Sequence, residues 1–251
     1  MLQKMNILEN IKKTFSNILN FGEDNVMSPK DAYNIWADTY GQDNNNLTLH
    51  YDKIIFGKFL SEIDVKNKTV FDYGCGTGRN WELILQKNPS KLIGCDISQN
   101  MINQLKKNFP DAEVYKTDNL SISYLANNSC DIIISTLVIA HIKDIQKMFS
   151  EWERVLKNKS EIFITDFHPN LLSKGGKRTF SKGKELNTIK NYCHPIKTIE
   201  KILIQFGFKI INLTEYKINE EVKKFYIEQN AINVYNKFYN TPFIYGLHLS
   251  R

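Results

Sequence analysis

The run Val70-Phe71-Asp72-Tyr73-Gly74-Cys75-Gly76-Thr77-Gly78-Arg79 restricts the fold of this chain more than any other stretch. Residues 69–73 have the β-branched and aromatic content of a buried strand, and Trp81, Leu83, Ile84 and Leu85 open an apolar helical segment after the turn. Glycines between a strand and a helix let the backbone turn tightly and let a ligand approach main-chain N–H groups without meeting a Cβ. The unit therefore reads as a nucleotide-type cradle. A dinucleotide fingerprint that begins at Gly74 and Gly76 needs its third glycine at position 79, which is Arg79, so that register fails.

Strand and helix patterns alternate on either side of this turn. Strands are expected at 69–73, 91–96, 113–116, 130–136 and 161–166, with helices at 79–87, 99–108 and 144–156. That alternation predicts an α/β fold, a parallel sheet covered by helices on both faces. Residues 130–136 are almost continuously apolar, as a central parallel strand requires. Ile142, Ile145, Met148, Phe149, Trp152, Val155 and Leu156 recur at helical spacing and mark a broad buried face. Beyond them, 198–206 reads as a helix stopped by Gly207, 208–216 as a strand, and 241–249 as a last strand behind Pro242.

An acidic residue followed by G-x-G-x-G resembles the first motif of the class I S-adenosylmethionine-dependent methyltransferases, and further matches follow in order. Asp96 ends the second strand about twenty residues past the glycines, where a carboxylate can hold a ribose diol. Asp118 ends the third strand, and the resemblance places it at the adenine amino group, with Ile97 lining the adenine and Asn119 and Leu120 beside Asp118. The segment from Thr136 to His141 matches the family stretch beside the cofactor's methionine and the substrate. The resemblance implies a Rossmann-like, doubly wound seven-stranded sheet in the order 3-2-1-4-5-7-6 with the last strand antiparallel. Its cofactor set here is Tyr33, Tyr40, Asp72, Gly74, Gly76, Gly78, Asp96, Ile97, Met101, Asp118, Asn119, Leu120 and Thr136, holding S-adenosylmethionine and releasing S-adenosylhomocysteine.

Residues 1–60 are expected to form a helical lid and 61–251 the core. Leu2, Met5, Leu8, Ile11, Phe15, Ile18 and Leu19 follow a helical period, for packing as a lid, for dimerisation or for a membrane surface. Tyr33-Asn34-Ile35-Trp36-Ala37-Asp38-Thr39-Tyr40 resembles the Tyr-x-x-Trp-Ala-x-x-Tyr segment of small-molecule methyltransferases related to the ubiquinone-pathway enzymes. There the aromatics close over the sulfonium, and an aromatic face both attracts a cation and excludes water. Plain lid packing is the alternative for each tyrosine.

Two insertions, near 167–197 and 217–240, are expected to wall the acceptor site. His141, His168 and His194 are the candidate bases, each at a strand end or in the following loop, where open α/β sheets bind ligands. Each has a structural alternative as a helix cap or loop hydrogen-bonding group. Asp166, Arg178 and Tyr192 are the candidate substrate contacts, Arg178 because its fork suits a carboxylate or phosphate. The Lys/Arg-rich stretch 174–184 also reads as a solvated loop. Phe225, Tyr226, Tyr235, Phe238 and Tyr239 read first as core, then as pocket wall or homodimer surface.

Composition narrows the class. At 251 residues, 42% hydrophobic and 24% charged, the chain suffices for one α/β domain. No apolar run approaches the roughly twenty residues that cross a bilayer, and no signal-peptide core is present, so a cytoplasmic protein is expected. Four cysteines without a C-x-x-C pair indicate neither metal nor disulfide. The net charge of +6 comes from dispersed lysines, and Ser135-Thr136-Leu137-Val138 lacks the prolines and aromatic that grip a flipped base, so nucleic acid is not the expected partner. The expected activity is methyl transfer to oxygen, nitrogen or carbon of a small molecule. A protein or carrier-bound acyl acceptor, a non-catalytic cofactor binder and a NAD oxidoreductase stay open as alternatives.

Overall fold

A computed structural model describes residues 26–41, 46–118, 120–183 and 185–251. The helix expected at 2–19 lies outside the described residues.

Seven strands form the main sheet: β2 (Thr69–Tyr73), β3 (Lys91–Asp96), β4 (Glu113–Lys116), β5 (Cys130–Thr136), β6 (Leu156–Phe167), β9 (Lys209–Lys217) and β10 (Pro242–Ser250). Their spatial order is β4-β3-β2-β5-β6-β10-β9, which is the expected 3-2-1-4-5-7-6. β2 to β6 run parallel, with Val70 beside Leu92 on one side and Ile132 on the other. β10 enters antiparallel between β6 and β9. A second, three-stranded sheet joins β1 (Val26–Met27), β8 (Glu185–Ile189) and β7 (Arg178–Lys182).

Helices α2 (Leu47–Glu62), α3 (Trp81–Leu85), α4 (Gln99–Asn108), α5 (Ile145–Val155) and α7 (Ile196–Gln205) flank the main sheet. Ile145, Met148, Phe149, Trp152 and Val155 of α5 are all buried, as their spacing requires. Each such side chain contributes roughly 1.5–3 kcal/mol on burial. Side-chain caps fix the starts of α1 (Pro29–Trp36), α2, α4 and α5, where Ser28, Asn46, Ser98 and Asp144 each accept from the backbone N–H three residues on.

The differences from the sequence reading have local causes. α3 begins at Trp81, two residues later than expected, because the Trp81 N–H closes a turn on the Gly78 carbonyl. β6 begins at Leu156, extending the strand expected at 161 back to the end of α5. The basic stretch 174–184 is no solvated loop throughout: Arg178 and Phe180 alternate inward and zip the β7–β8 hairpin against α1. α2 ends at Glu62, so the boundary expected after residue 60 falls within a helix that packs on β6 and β10. Phe225, Tyr235 and Phe238, from α8 (Lys223–Glu228) and α9 (Ile232–Phe238), join the main core, while Tyr239 is exposed.

Candidate active site

The strand β2 ends in a turn whose three glycines all hold positive φ, +80° at Gly74, +54° at Gly76 and +75° at Gly78. The Gly74 and Cys75 N–H groups donate to the Cys95 carbonyl at 2.8 and 2.9 Å, binding the turn to the end of β3. The first and third glycines are required by packing as well, since a Cβ at Gly74 would collide with Val138 and one at Gly78 would press on Leu105 at 3.0 Å. The middle glycine differs: a Cβ at Gly76 meets nothing within 4 Å, so the turn is open on that side.

Asp96, 8% exposed, faces that opening. One of its oxygens accepts the Gly76 N–H at 2.9 Å and the other the Ser98 N–H at 2.8 Å. Burial pushes its carboxyl up to about 6, against the pull of those N–H donors. Each carboxylate oxygen still has a lone pair for a ligand hydroxyl. Asp72 is turned the other way, toward the Trp81 indole N–H at 2.8 Å, and burial pushes it up to about 7. It ties α3 to β2 beneath the turn. Ile97 is half-buried and Met101 fully buried just beyond Asp96. Asp118 lies at the exposed end of β4 and takes an ion pair from Lys30 of α1 at 3.1 Å, which holds its carboxyl below the usual range. Leu120 sits beside it at φ +65°; Asn119 lies outside the described residues.

Helix α1 covers these strand ends. Asn34 is the clasp: its side-chain oxygen accepts from the Ser98 hydroxyl at 2.7 Å and the Asn100 N–H at 3.2 Å, and its carbonyl from the Asn100 amide at 2.9 Å. Trp36 stacks on Phe180 of the hairpin with ring centres 5.0 Å apart, and Tyr40 meets Trp36 edge-on at 4.9 Å. The Tyr33 hydroxyl lies 2.9 Å from His141 Nε2. His141 Nδ1 faces the Lys190 carbonyl at 3.1 Å, which can only accept, so Nδ1 carries the proton and Nε2 accepts from Tyr33. Burial, with the nearby Arg178 charge second, pushes the His141 imidazole down to about 3 and keeps it neutral.

On the β5–β6 side, Asp166, Tyr192 and His194 line one narrow cleft together with Ala140, Phe167 and Tyr245. Asp166 accepts backbone N–H groups from Ala140 and Phe167, both at 2.7 Å, and burial pushes it up to about 6. His194 donates from Nε2 to the Ile142 carbonyl at 2.7 Å, which leaves Nδ1 as an acceptor. His168 is engaged at both nitrogens: Nδ1 accepts the Asn170 N–H that starts α6 (Pro169–Ser173), and Nε2 meets Glu215 of β9 at 2.6 Å. It does not line the cleft.

Three participants escaped the sequence reading: Arg79, Asp52 and Asn34. Arg79, directly after the last glycine, pairs with Asp52 of α2 at 2.7 Å and also donates to Thr136 at 3.2 Å. Asp52 is fully buried and accepts from the Thr165 hydroxyl as well. Its signal was present: a lone acid on the apolar stripe Asp52, Ile55, Phe56, Phe59 of a helix. Asn34 gave none, because its partners lie on another helix.

Residues 71–164 match the family described as "Methyltransferase domain". An uncharacterized methyltransferase of Emericella nidulans is 25% identical over 76% of this chain and 82% of its own length. The ubiquinone/menaquinone biosynthesis C-methyltransferase UbiE of Campylobacter jejuni is 29% identical over 55% of this chain, which spans 62% of that enzyme, less than two thirds. Among solved structures, the magnesium protoporphyrin IX methyltransferase of Synechocystis PCC 6803 with bound S-adenosylhomocysteine superposes with a TM-score of 0.58 at 18% identity, covering 88% of this chain and 97% of that one.

Proposed function

Because the chain belongs to the class I S-adenosylmethionine-dependent methyltransferases, we propose that it methylates a small molecule enclosed between α1, the β7–β8 hairpin and the carboxyl ends of β5 and β6. One observation carries the small-molecule reading: Tyr33, Trp36 and Tyr40 pack with Phe180 and Arg178 of the hairpin, an aromatic wall of the kind that surrounds a small acceptor.

The residues fit the cofactor. The side of Gly76 is open where a Cβ would otherwise intrude, Asp96 offers lone pairs to a ribose diol, and Tyr33 and Tyr40 offer ring faces to a sulfonium. S-adenosylmethionine supplies an electrophilic methyl group on a cationic sulfur. Asn34 and Asp118 hold α1 over that site and keep water out, through the Ser98, Asn100 and Lys30 contacts. Thr136, fixed by Arg79 and Asn80, marks the methionine end.

Of the three histidines, His194 is the proposed base. Its Nδ1 is an available acceptor beside the cleft, whereas both nitrogens of His141 and His168 are already engaged. His141 then positions Tyr33, and His168 pins α6 to β9. Tyr192 and Asp166 shape the acceptor wall, and Arg178 faces the acceptor's charge.

Calorimetric titration with S-adenosylmethionine, S-adenosylhomocysteine and NADH tests the cofactor. The first two are expected to bind and to be lost in Asp96→Ala, with no binding of NADH. Screening small acids, phenols and amines for S-adenosylhomocysteine release, against a lysate of intact proteins, tests the acceptor. Turnover seen only with the proteins would defeat the small-molecule reading. Once an acceptor is found, His194→Ala is expected to slow single-turnover transfer roughly 10²-fold with cofactor affinity intact.

A further inference from the structure

Arg178 is only 3% exposed, yet neither its Nε nor its Nη1 has a hydrogen-bond partner. Those atoms carry three of the five N–H donors of a guanidinium. The one hydrogen bond it makes is a long one, Nη2 to the Tyr40 hydroxyl at 3.4 Å. Its other neighbours are ring faces, with the guanidinium carbon 5.7 Å from the centre of Tyr33, 5.6 Å from Trp36 and 5.4 Å from Phe167. Aromatic faces stabilise the cation but do not satisfy in-plane N–H donors.

Among the described residues no carboxylate fills this role. Asp166 is near enough for its charge to act on Arg178, but it makes no ion pair or hydrogen bond with the guanidinium; its oxygens accept the Ala140 and Phe167 N–H groups instead. The other guanidinium in the same space, Arg79, has Asp52 at 2.7 Å. A buried charge with its donors unpaired is costly, so the arrangement formed by the described residues is one that a bound anion would complete.

We infer that Arg178 is the anchor for a carboxylate group of a bound ligand. A slot walled by flat rings admits a planar two-oxygen group, which the guanidinium fork can bind through two parallel N–H donors. The inference deepens the methyl-transfer reading and rests on it for which ligands enter the cleft. Two sources share this chemistry: the acceptor, and the methionine moiety of the cofactor.

The test uses the full chain and two variants, Arg178→Gln and Arg178→Lys, the second keeping the charge without the fork. Without ligand, Arg178→Gln is expected to melt no lower than wild type, because it removes an uncompensated charge. A cofactor source predicts that Arg178→Gln binds S-adenosylmethionine roughly 10- to 100-fold more weakly while decarboxylated S-adenosylmethionine binds as before. An acceptor source predicts that acetate, benzoate or phenylacetate stabilises the S-adenosylhomocysteine complex of wild type, that the matching amides do not, and that Arg178→Gln abolishes the difference. Arg178→Lys is expected to fall between the two in whichever arm responds. Equal behaviour of wild type and Arg178→Gln in both arms overturns the inference, as does an equal loss for acids and amides alike. Wild type that binds the acids through Arg178 but no S-adenosylmethionine would sink the methyl-transfer reading and leave the anchor standing.

Discussion

Arg79 and Arg178 are near enough for their charges to act on one another, and they are held in opposite ways. Arg79 belongs to the sheet side, where it has an ion pair with Asp52 and a hydrogen bond to Thr136, and Thr165 donates to the same carboxylate. Arg178 belongs to the α1–hairpin side, where rings surround a charge that no acid pairs. The sheet side is preorganised by its own hydrogen bonds, so a ligand meets a finished surface. The hairpin side holds donors in reserve, and part of its organisation waits for the ligand. The contrast fits the proposed methyl transfer: the sheet side is a fixed platform, and the hairpin side is completed by whichever ligand brings the carboxylate.

The largest effect that could break this comparison is expected at Asp52. Asp52→Ala leaves the Arg79 guanidinium and the Thr165 hydroxyl without their buried acceptor, and breaking such a pair costs about 3–5 kcal/mol. Urea unfolding should show that loss. If Asp52→Ala unfolds at the wild-type midpoint, the sheet side is no better satisfied than the hairpin side and the contrast fails.

A smaller effect, set by proton linkage, would sharpen the platform's role. Asp96 carries a carboxyl pushed up to about 6 by burial. Ribose hydroxyls donating to it favour its ionised form, so its value falls on binding and protons are released. The sign follows: S-adenosylhomocysteine affinity is flat above about pH 7 and falls as pH drops below about 6, by up to tenfold per unit. Calorimetry across pH 5 to 8 checks the slope, and Asp96→Asn should bind weakly with that slope removed. A slope that persists in the variant would move the linkage to another group, such as Asp72 or Asp166.

The same division explains what could be read from the chain. The strands were legible because buried parallel strands are apolar runs between helices of 3.6 period, and the turn at Gly74, Gly76 and Gly78 because it needs a backbone that glycine adopts most easily; the order of the strands came only with the family resemblance. Asp96 and Asp118 were legible as acids ending strands. Asn34 with Ser98, and Tyr33 with His141, join residues 64 and 108 apart, and no local pattern carries such a pairing. Asp52 sat in plain view as a charge on an apolar stripe, but its meaning needed Arg79 on the facing element. The hairpin was obscured by its lysines, although the alternation of Arg178, Phe180 and Lys182 has the period of a strand.

The smallest effect separates cover from chemistry. Tyr33→Phe keeps the ring that stacks on Trp36 and faces Arg178 but removes the hydroxyl that His141 accepts. One such hydrogen bond contributes about 1 kcal/mol, and the vacated Nε2 is left half-buried without a donor. If α1 acts by covering the site, the variant should lose about that much in thermal stability and weaken S-adenosylhomocysteine binding by less than about tenfold, with single-turnover transfer from the bound state unchanged. If instead the Tyr33–His141 pair moves protons during transfer, the single-turnover rate drops while the affinity stays. A kinetic loss of that kind would return His141 to the place His194 holds here, and would make the covering helix part of the reacting machinery rather than its roof.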